Sequence, residues 1–440
     1  MRRAQHTTQW GRRGRAIAAA GLLVLAACGD EPSYFGPSHV ESKVAYERPT
    51  ETEAGDGAAV VRHVATRLWA PIVEAAGTDN VAYSPLSIAT ALGMARAGAE
   101  GPSGAQLDEL FGLPGTTSGS VHRAVGGADA TLRSLAGPVQ LADGSMGEID
   151  LSTANAVWGQ SGVAWEDPFL DVLAADYEAS IWNADYRGDP EAARRDINDW
   201  VASRTAERIT GLLPEGALTT DTQMVLTNAA WFSAPWEAPM EEQPAAPFTT
   251  AAGERVEAPM LATTGSLVHR TGPGWQSVTV PYAGGDLAMT LLVPDAGALA
   301  EVEAALDDDL LVEATTGGEA TVVALTFPRF AFDARAELKA ALQAIGVEAP
   351  FATEDDFLPM TRDPEAQPLW VDDVLHQATI AVDELGTEAS AATAVVMTTE
   401  GALLPEVELT VDCPFLFVIH DVALGTPLFV GRVADPVTSG

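Results

Sequence analysis

Apolar residues recur at helical intervals in the first half of the chain. Three segments repeat them at spacings of three and four, which is the period of one helix face. They are residues 60–72, residues 86–95 after Ser84-Pro85, and residues 191–213. We expect ordered structure to begin near Asp56 with the first of these helices, and we expect Ser87 to cap the second.

The second half contains shorter apolar runs that are rich in β-branched and aromatic residues. Gly, Pro or Asp bounds the runs, which is the pattern of strands. The runs are residues 224–232, 287–294, 321–332, 378–382, 414–419 and 426–432. Helices followed by strands, with no linker between residues 56 and 436, predict one large domain of the α+β class.

The N-terminus has the order of an export signal. Five arginines among the first 15 residues precede an apolar run of residues 16–27, which is too short to span a bilayer. The run ends in Leu25-Ala26-Ala27-Cys28, which resembles the lipobox of bacterial lipoproteins and implies lipidation of Cys28. The alternative is an ordinary secretory signal in which this cysteine has no role.

These features predict three regions. We expect a lipoprotein signal peptide in residues 1–27, a flexible tether rich in Pro, Ser, Glu and Gly in residues 28–55, and the folded domain in residues 56–440. The protein would be exported and anchored to a membrane through its lipid, either in the periplasm or on the cell surface.

Charge and composition exclude several classes of partner. The net charge of −38 argues against binding nucleic acid or an anionic membrane surface, since both need clustered cations, so membrane contact is expected only through the lipid. The seven histidines show no metal-ligand spacing, and we expect neither a metal nor a cofactor. Cys413 is the only cysteine besides Cys28; it is expected to be a small buried residue without a disulfide partner.

A series of motifs then follows in a fixed order along the chain. They are Asn80-Val81-Ala82-Tyr83-Ser84-Pro85-Leu86-Ser87-Ile88, Ile197-Asn198-Asp199-Trp200-Val201, Leu226-Thr227-Asn228-Ala229-Ala230-Trp231-Phe232, Phe327-Pro328-Arg329-Phe330, Leu375-His376-Gln377-Ala378, Val382-Asp383-Glu384-Leu385-Gly386-Thr387-Glu388-Ala389, Pro414-Phe415-Leu416-Phe417 and Phe429-Val430-Gly431-Arg432-Val433. Together they resemble the signature segments of the serpins, which are protease inhibitors that act as suicide substrates.

The resemblance implies a fold and a mechanism. The fold would be three β-sheets surrounded by helices, with an exposed reactive-centre loop. In this family the target protease cleaves the loop and becomes covalently attached to it, and the loop then inserts into the main sheet as a new strand. The protein would be an irreversible inhibitor of serine endopeptidases, with cysteine endopeptidases left open, and not an enzyme. The alternative is a non-inhibitory serpin that serves as a binding or structural module.

The resemblance places the hinge of that loop between Glu384 and Ala392. The hinge residues are Glu384, Gly386, Thr387, Glu388, Ala389, Ser390, Ala391 and Ala392. Side chains from Thr387 onward alternate between a small or apolar set (Thr387, Ala389, Ala391, Thr393, Val395, Met397) and a set that carries the charge of Glu388. This alternation is that of a half-buried strand, and the small side chains after Glu388 would not obstruct insertion.

Insertion of this segment would be strongly favourable. Burial of the six alternating side chains is worth roughly 5–10 kcal/mol. A dozen or so new ladder hydrogen bonds add on the order of 10 kcal/mol. The sum matches or exceeds the stability of a typical domain, so insertion would be irreversible.

The reactive bond is expected at Glu400–Gly401. In the family about seventeen residues run from the hinge acid, here Glu384, to the residue before the cleaved bond. An acidic residue at this position suggests a glutamate-preferring serine protease. The following loop is about one residue longer than in some members, which leaves a bond one or two positions later open, and cleavage after Met397 or Thr399 also stays open.

Two further groups match positions of the family. The shutter (Ser84, Ser87, Asn228 and His376) would be a hydrogen-bonded polar cluster beneath the main sheet. The breach (Trp236, Arg329 and Glu384) would include a salt bridge between Arg329 and Glu384 where insertion begins. Absence of a G-x-S-x-G motif argues against a hydrolase pair of Ser84 and His376. Heparin binding is not expected, because only Arg123 and Arg133 occur where some members carry a basic helix.

Overall fold

The computed structural model describes residues 37–112, 118–352, 355–362, 369–388 and 404–438. Several positions from the sequence analysis lie outside this part of the chain. They are the expected signal peptide with Cys28, the hinge residues Ala389, Ser390, Ala391 and Ala392, and the expected reactive bond Glu400–Gly401.

Most helices lie in the first half of the chain, as the apolar spacing predicts. They are α1 Glu51–Ala76, α2 Pro85–Arg96, α3 Gly101–Leu110, α4 Ser118–Arg133, α5 Asp167–Tyr177, α6 Pro190–Arg204, α7 Leu299–Ala305, α8 Asp308–Thr315 and α9 Leu338–Ala344, with short 3₁₀ turns at Ala349–Phe351 and Asp355–Met360. Within the described ranges, none of these helices is long and apolar enough to cross a membrane.

The strands concentrate in the second half. They are β1 His39–Val40, β2 Val81–Tyr83, β3 Gly137–Gln140, β4 Met146–Thr153, β5 Ala156–Gln160, β6 Ile181–Ala184, β7 Met224–Pro235, β8 Glu241–Thr249, β9 Arg255–Gly272, β10 Trp275–Pro281, β11 Leu287–Pro294, β12 Ala320–Pro328, β13 Phe330–Glu337, β14 Asp373–Val382, β15 Gly386–Thr387, β16 Val407–Thr410, β17 Phe415–Asp421 and β18 Pro427–Val433. All six predicted strand segments are strands, and residues 321–332 form two of them, separated at Arg329.

The described strands form two hydrogen-bonded sheets, where the resemblance implies three. The main sheet has the order β1-β6-β5-β7-β15-β14-β13, with β4 also on β7 and β3 on β4. The second has the order β16-β12-β9-β10-β11-β17-β18-β2, with β8 also on β9. The second sheet is continuous because β9 is 18 residues long and pairs with β8, β12 and β10 at successive positions.

Strand β7 lies at the centre of the main sheet and is buried on both faces. Leu226, Ala230 and Phe232 belong to the large core shared with the second sheet. Val225 and Ala229 point the other way and pack in a smaller core beneath α6. Burial on both faces explains why residues 224–232 read as a continuous apolar run and not as an alternating one.

The ordered domain begins before Asp56, contrary to the predicted tether. Residues Thr50 and Glu53 form a capping box, in which each side chain binds the backbone N–H of the other, and α1 therefore starts at Glu51. Strand β1 pairs with β6, and the Glu47 N–H donates to the Ala175 carbonyl at 3.0 Å. The described part of the tether, from residue 37, is thus packed against the domain.

Three local predictions are also wrong. The residue that caps α2 is Ser84 and not Ser87, because the Ser84 hydroxyl accepts the Ser87 N–H at 3.2 Å. The helix predicted over residues 191–213 ends at Arg204, and Asn198 holds the returning chain through two hydrogen bonds with the Leu213 backbone. Cys413 is only partly buried, where a buried residue was expected.

Close packing of α1 on α4 depends on Gly57. A Cβ atom at Gly57 would lie 2.0 Å from the Ala124 carbonyl oxygen, whereas one at Gly55 in the same helix would have no atom within 4 Å. We expect Gly57→Ala to destabilise the fold by about 1–3 kcal/mol through overpacking. Gly55→Ala, the matched control, should stabilise it by up to about 1 kcal/mol. Urea-denaturation midpoints that shift in the same direction for both variants would contradict this packing.

Candidate functional site

The two central strands of the main sheet are paired along one part of their length and separated at the other. Residues 225–230 of β7 pair directly with residues 373–378 of β14, in parallel. Further along, β15 lies between the same two strands. Gly386 and Thr387 pair antiparallel with Pro235 and Ala234, and Thr387 also pairs with Val382. The hinge therefore begins as a short strand inside the sheet.

Trp236 of the breach binds the backbone where the chain turns into β15. Its indole Nε1–H donates to the Asp383 carbonyl at 2.9 Å, and its backbone N–H donates to the Leu385 carbonyl at 2.9 Å. The Asp383 carboxylate closes the turn by accepting the N–H groups of Leu385 and Gly386. Hydrogen bonds from Trp236 and from the Asp383 carboxylate therefore fix the turn between β14 and β15.

Thr387 points into the core and is fully buried. Its hydroxyl lies 2.6 Å from the hydroxyl of Tyr282, whose ring stacks on Trp236 with centroids 4.5 Å apart. Burial raises the pKa of Tyr282 well above its ordinary value, so the phenol keeps its proton and can share it with Thr387. Thr387, the first inward-facing residue of the hinge, is thus bonded to a tyrosine that stacks on Trp236 of the breach.

Glu388 points the opposite way and is also held. Its carboxylate accepts the indole N–H of Trp231 and lies 3.6 Å from Arg208 Nε, and its side chain is 4% exposed. Burial raises the pKa of this carboxyl, while the Trp231 N–H and the Arg208 charge act in the opposite direction. Glu388 has a φ of +46°, so the extended strand ends here.

The Arg329–Glu384 contact of the breach is present as a surface ion pair. Arg329 Nη1 lies 3.7 Å from Glu384 Oε2 and 3.6 Å from Glu242 Oε1. Arg329 is 48% exposed, so water screens the attraction and the pair contributes at most about 1 kcal/mol. The buried Trp236 contacts, and not this pair, hold the turn.

The shutter residues meet beneath the paired part of β7 and β14. The Ser84 backbone N–H donates to His376 Nε2 at 3.0 Å, and His376 Nδ1 contacts Asn228 Oδ1. A backbone N–H can only donate, so Nε2 carries no proton and Nδ1–H is the donor to Asn228. Burial lowers the pKa of His376 to about 3, which keeps the ring neutral at physiological pH.

Sequence reasoning missed one member of this cluster. The Asn155 side-chain oxygen accepts the Ser87 hydroxyl at 2.5 Å and the Asn228 amide at 3.4 Å. Asn155 lies between β4 and β5, where a single Asn among small residues carries no motif. Only the pairing of both strands with β7 brings it to Ser87 and Asn228.

Ser84 and His376 have no geometry for hydrolysis. The His376 ring nitrogen accepts the Ser84 backbone N–H, while the Ser84 hydroxyl accepts from Ser87, and both side chains are buried. A general base must reach the nucleophile's hydroxyl proton, and a substrate must reach the hydroxyl. Their role in this structure is to fix α2 against β14.

The two arginines of α4 are already neutralised. Arg123 Nε lies 3.0 Å from Glu53 Oε1, and its Nη1 lies 3.4 Å from Asp176 Oδ1. Arg133 contacts Asp129 at 2.8 Å and Glu178 at 3.0 Å. Both guanidinium groups therefore have acidic partners within the domain.

The main sheet thus pairs β7 with β14 directly over a buried polar cluster and holds β15 between the same strands at one end. The family model described as Serpin (serine protease inhibitor) matches residues 59–436, and the chain belongs to this family. Antithrombin-III of Mus musculus is 32% identical over 365 residues, which cover 81% of this chain and 77% of that protein. An uncharacterised serpin-like protein of Thermococcus kodakarensis is 30% identical over 412 residues, covering 92% and 93%.

A solved structure shows the same fold. The native state of tengpin, a thermophilic serpin, superimposes with a TM-score of 0.77 at 23% identity, over 91% of this chain and 100% of that one. The predicted α+β serpin fold is thereby confirmed. Membership of the family indicates protease inhibition as the activity at the level of the family.

Neutral His376 makes stability depend on pH. In the unfolded chain the pKa of His376 returns to about 6.5, so the unfolded state binds a proton at a higher pH than the folded state does. The free energy of unfolding therefore falls as the pH drops from about 6.5 towards 3. We expect His376→Gln to lose about 1–3 kcal/mol at pH 7, because the bonds with Ser84 and Asn228 are replaced imperfectly. The variant should also lose less additional stability than the wild type between pH 6.5 and 4. If the urea-denaturation midpoints of the two proteins changed equally between pH 6.5 and 4, the claim that His376 is neutral in the folded state would be wrong.

Proposed function

We propose that this chain is an irreversible suicide-substrate inhibitor of serine endopeptidases, and that its loop inserts between β7 and β14 after cleavage. The observation that carries the proposal is the position of β15. Gly386 pairs with β7 and Thr387 pairs with both β7 and β14, in the antiparallel orientation that a longer inserted strand would continue. The target protease supplies the nucleophile, so the protein itself performs no catalysis.

The register of β15 defines what further insertion would meet. Thr387 faces both Ala234 and Val382, so an antiparallel strand continued in the same register would place Ala391 opposite Ala230 and Ala378. Thr393 would then face Asn228 and His376, which now contact each other. The inserted strand would therefore separate the shutter pair and offer a hydroxyl to both partners.

Export and lipidation are part of the proposal. The N-terminal charge pattern and the Leu25-Ala26-Ala27-Cys28 box support a lipoprotein anchored through Cys28, in the periplasm or on the cell surface. The inhibitor would then act on proteases outside the cytoplasm. Labelling with palmitate that persists in a Cys28→Ser variant would reject the anchor.

The inhibitor proposal predicts a covalent complex. We expect the full chain, incubated with a panel of serine proteases that includes a glutamate-preferring one, to give a complex that survives denaturing electrophoresis. We expect the released C-terminal peptide to begin at Gly401, because the count from Glu384 places the bond there. If the chain is cleaved but no protease of the panel forms a stable complex with it, the non-inhibitory alternative is favoured. A peptide that begins elsewhere would move the bond and leave the inhibition intact.

The alternation along the hinge predicts opposite results for neighbouring substitutions. Ala391 belongs to the set that would enter the core, and Ala392 belongs to the other face. Ala391→Arg would bury an unpaired charge at a cost of several kcal/mol, so complex formation should fall at least about tenfold while cleavage continues. Ala392→Arg is the matched control and should retain most of the complex. Equal loss in both variants would contradict insertion in this register.

A further inference from the structure

Tyr282 contacts the hinge from the second sheet and belongs to none of the groups that the sequence predicted. It follows β10, and its backbone N–H donates to the Leu287 carbonyl at 2.9 Å, where β11 begins. Its ring stacks on Trp236 and packs edge to face with Phe232, with centroids 5.1 Å apart. The phenol is therefore held in place by the second sheet and by the β7 side of the main sheet.

The hydroxyls of Tyr282 and Thr387 form a pair that is closed to solvent. Neither residue has exposed surface, and the two oxygens lie 2.6 Å apart. Within the described ranges, neither hydroxyl has another hydrogen-bond partner. A buried polar group that loses its partner is left with an uncompensated loss of hydration, so each hydroxyl depends on the other.

The observed face of the hinge is the one that satisfies Tyr282. Side chains alternate along a strand, so a shift of β15 by one residue would turn Glu388 inward. Its carboxylate would leave its present partners and enter the core beside Tyr282, where an unpaired charge is strongly disfavoured. A shift by two residues would place Leu385 or Ala389 there, and neither carries a hydroxyl. Thr387 thus matches Tyr282 and its neighbours do not.

We propose that Tyr282 is a positioning residue for loop insertion. Its hydroxyl selects Thr387 as the first inward-facing residue and thereby sets the face on which the rest of the loop enters the main sheet. The inference rests on the proposed function, because it gives Tyr282 a part in the insertion that follows cleavage. The hydrogen bond itself is present before any protease acts, so one test needs no protease.

The first test is amide hydrogen exchange of the full chain, read by mass spectrometry of the peptide that covers residues 384–388. Exchange in this peptide measures local opening of the hinge. We expect Tyr282→Phe and Thr387→Val each to raise its rate about tenfold, because each leaves one buried hydroxyl unpaired. Thr387→Ser keeps the hydroxyl and should stay within about threefold of the wild type. The double variant Tyr282→Phe/Thr387→Val should also stay within about threefold, because it removes both partners and keeps their shapes.

The matched control is Tyr186→Phe, which removes another buried tyrosine hydroxyl, bonded to the Trp158 carbonyl at 3.2 Å. Its hinge peptide should exchange like that of the wild type. Urea-denaturation midpoints separate local opening from loss of the fold, and Thr387→Val against Thr387→Ser carries the comparison if Tyr282→Phe does not fold. The pairing is rejected if Tyr282→Phe exchanges like the control, or if the two single effects add in the double variant.

The second test measures positioning with a protease that forms a stable complex with the wild-type chain. We expect Tyr282→Phe and Thr387→Val to consume at least about threefold more chain by cleavage for each complex formed, and Thr387→Ser to match the wild type. Faster hinge exchange with an unchanged ratio would overturn the positioning role alone. If the wild type forms no complex with any protease, the proposed function fails, and the positioning role fails with it.

Discussion

The direct pairing of β7 with β14 is the contact on which the rest of the structure depends. It is a parallel pairing of six residues on each strand, and β7 and β14 are each paired antiparallel on their other side, with β4 and β5 and with β13. Parallel pairing is slightly less stable per residue than antiparallel pairing. A strand inserted in the orientation of β15 would replace this one parallel interface with two antiparallel ones. The centre of the sheet is therefore the position where an added strand gains most.

The polar side chains of the shutter can be buried beneath the main sheet because they carry no charge. An ionised group beneath β7 and β14 would hold the strands through a strong interaction and would cost several kcal/mol to leave unpaired. His376 instead joins Ser84 and Asn228 as an uncharged donor and acceptor. Hydrogen bonds of this kind contribute about 1 kcal/mol each and can be exchanged for others. The cluster thus joins α2, β7 and β14 through hydrogen bonds between uncharged groups.

How far the sequence predicted the site depended on the kind of signal that each part carries. Strand β7 was found because burial on both faces gives an unbroken apolar run, whereas β9 was missed because its exposed and buried residues do not form such a run. Ser84, Asn228 and His376 are nearly 300 residues apart at the extremes, and only the family resemblance grouped them. Asn155 had no motif to reveal it. The end of α6 depends on positive φ angles at Ala206 and Glu207, which neither residue type signals.

Glu388 sets how far the hinge enters the sheet. Thr387 before it is extended and bonded to Tyr282, but Glu388 has a left-handed φ of +46°, which costs a non-glycine residue roughly 1–2 kcal/mol. The Trp231 and Arg208 contacts to its carboxylate stabilise this conformation. A longer strand would need Glu388 to become extended, which relieves the backbone strain but must keep or replace those contacts. The carboxylate contacts therefore oppose the backbone strain and keep β15 at two residues; a longer strand would form only if the rest of the loop gained more than the loss of these contacts costs.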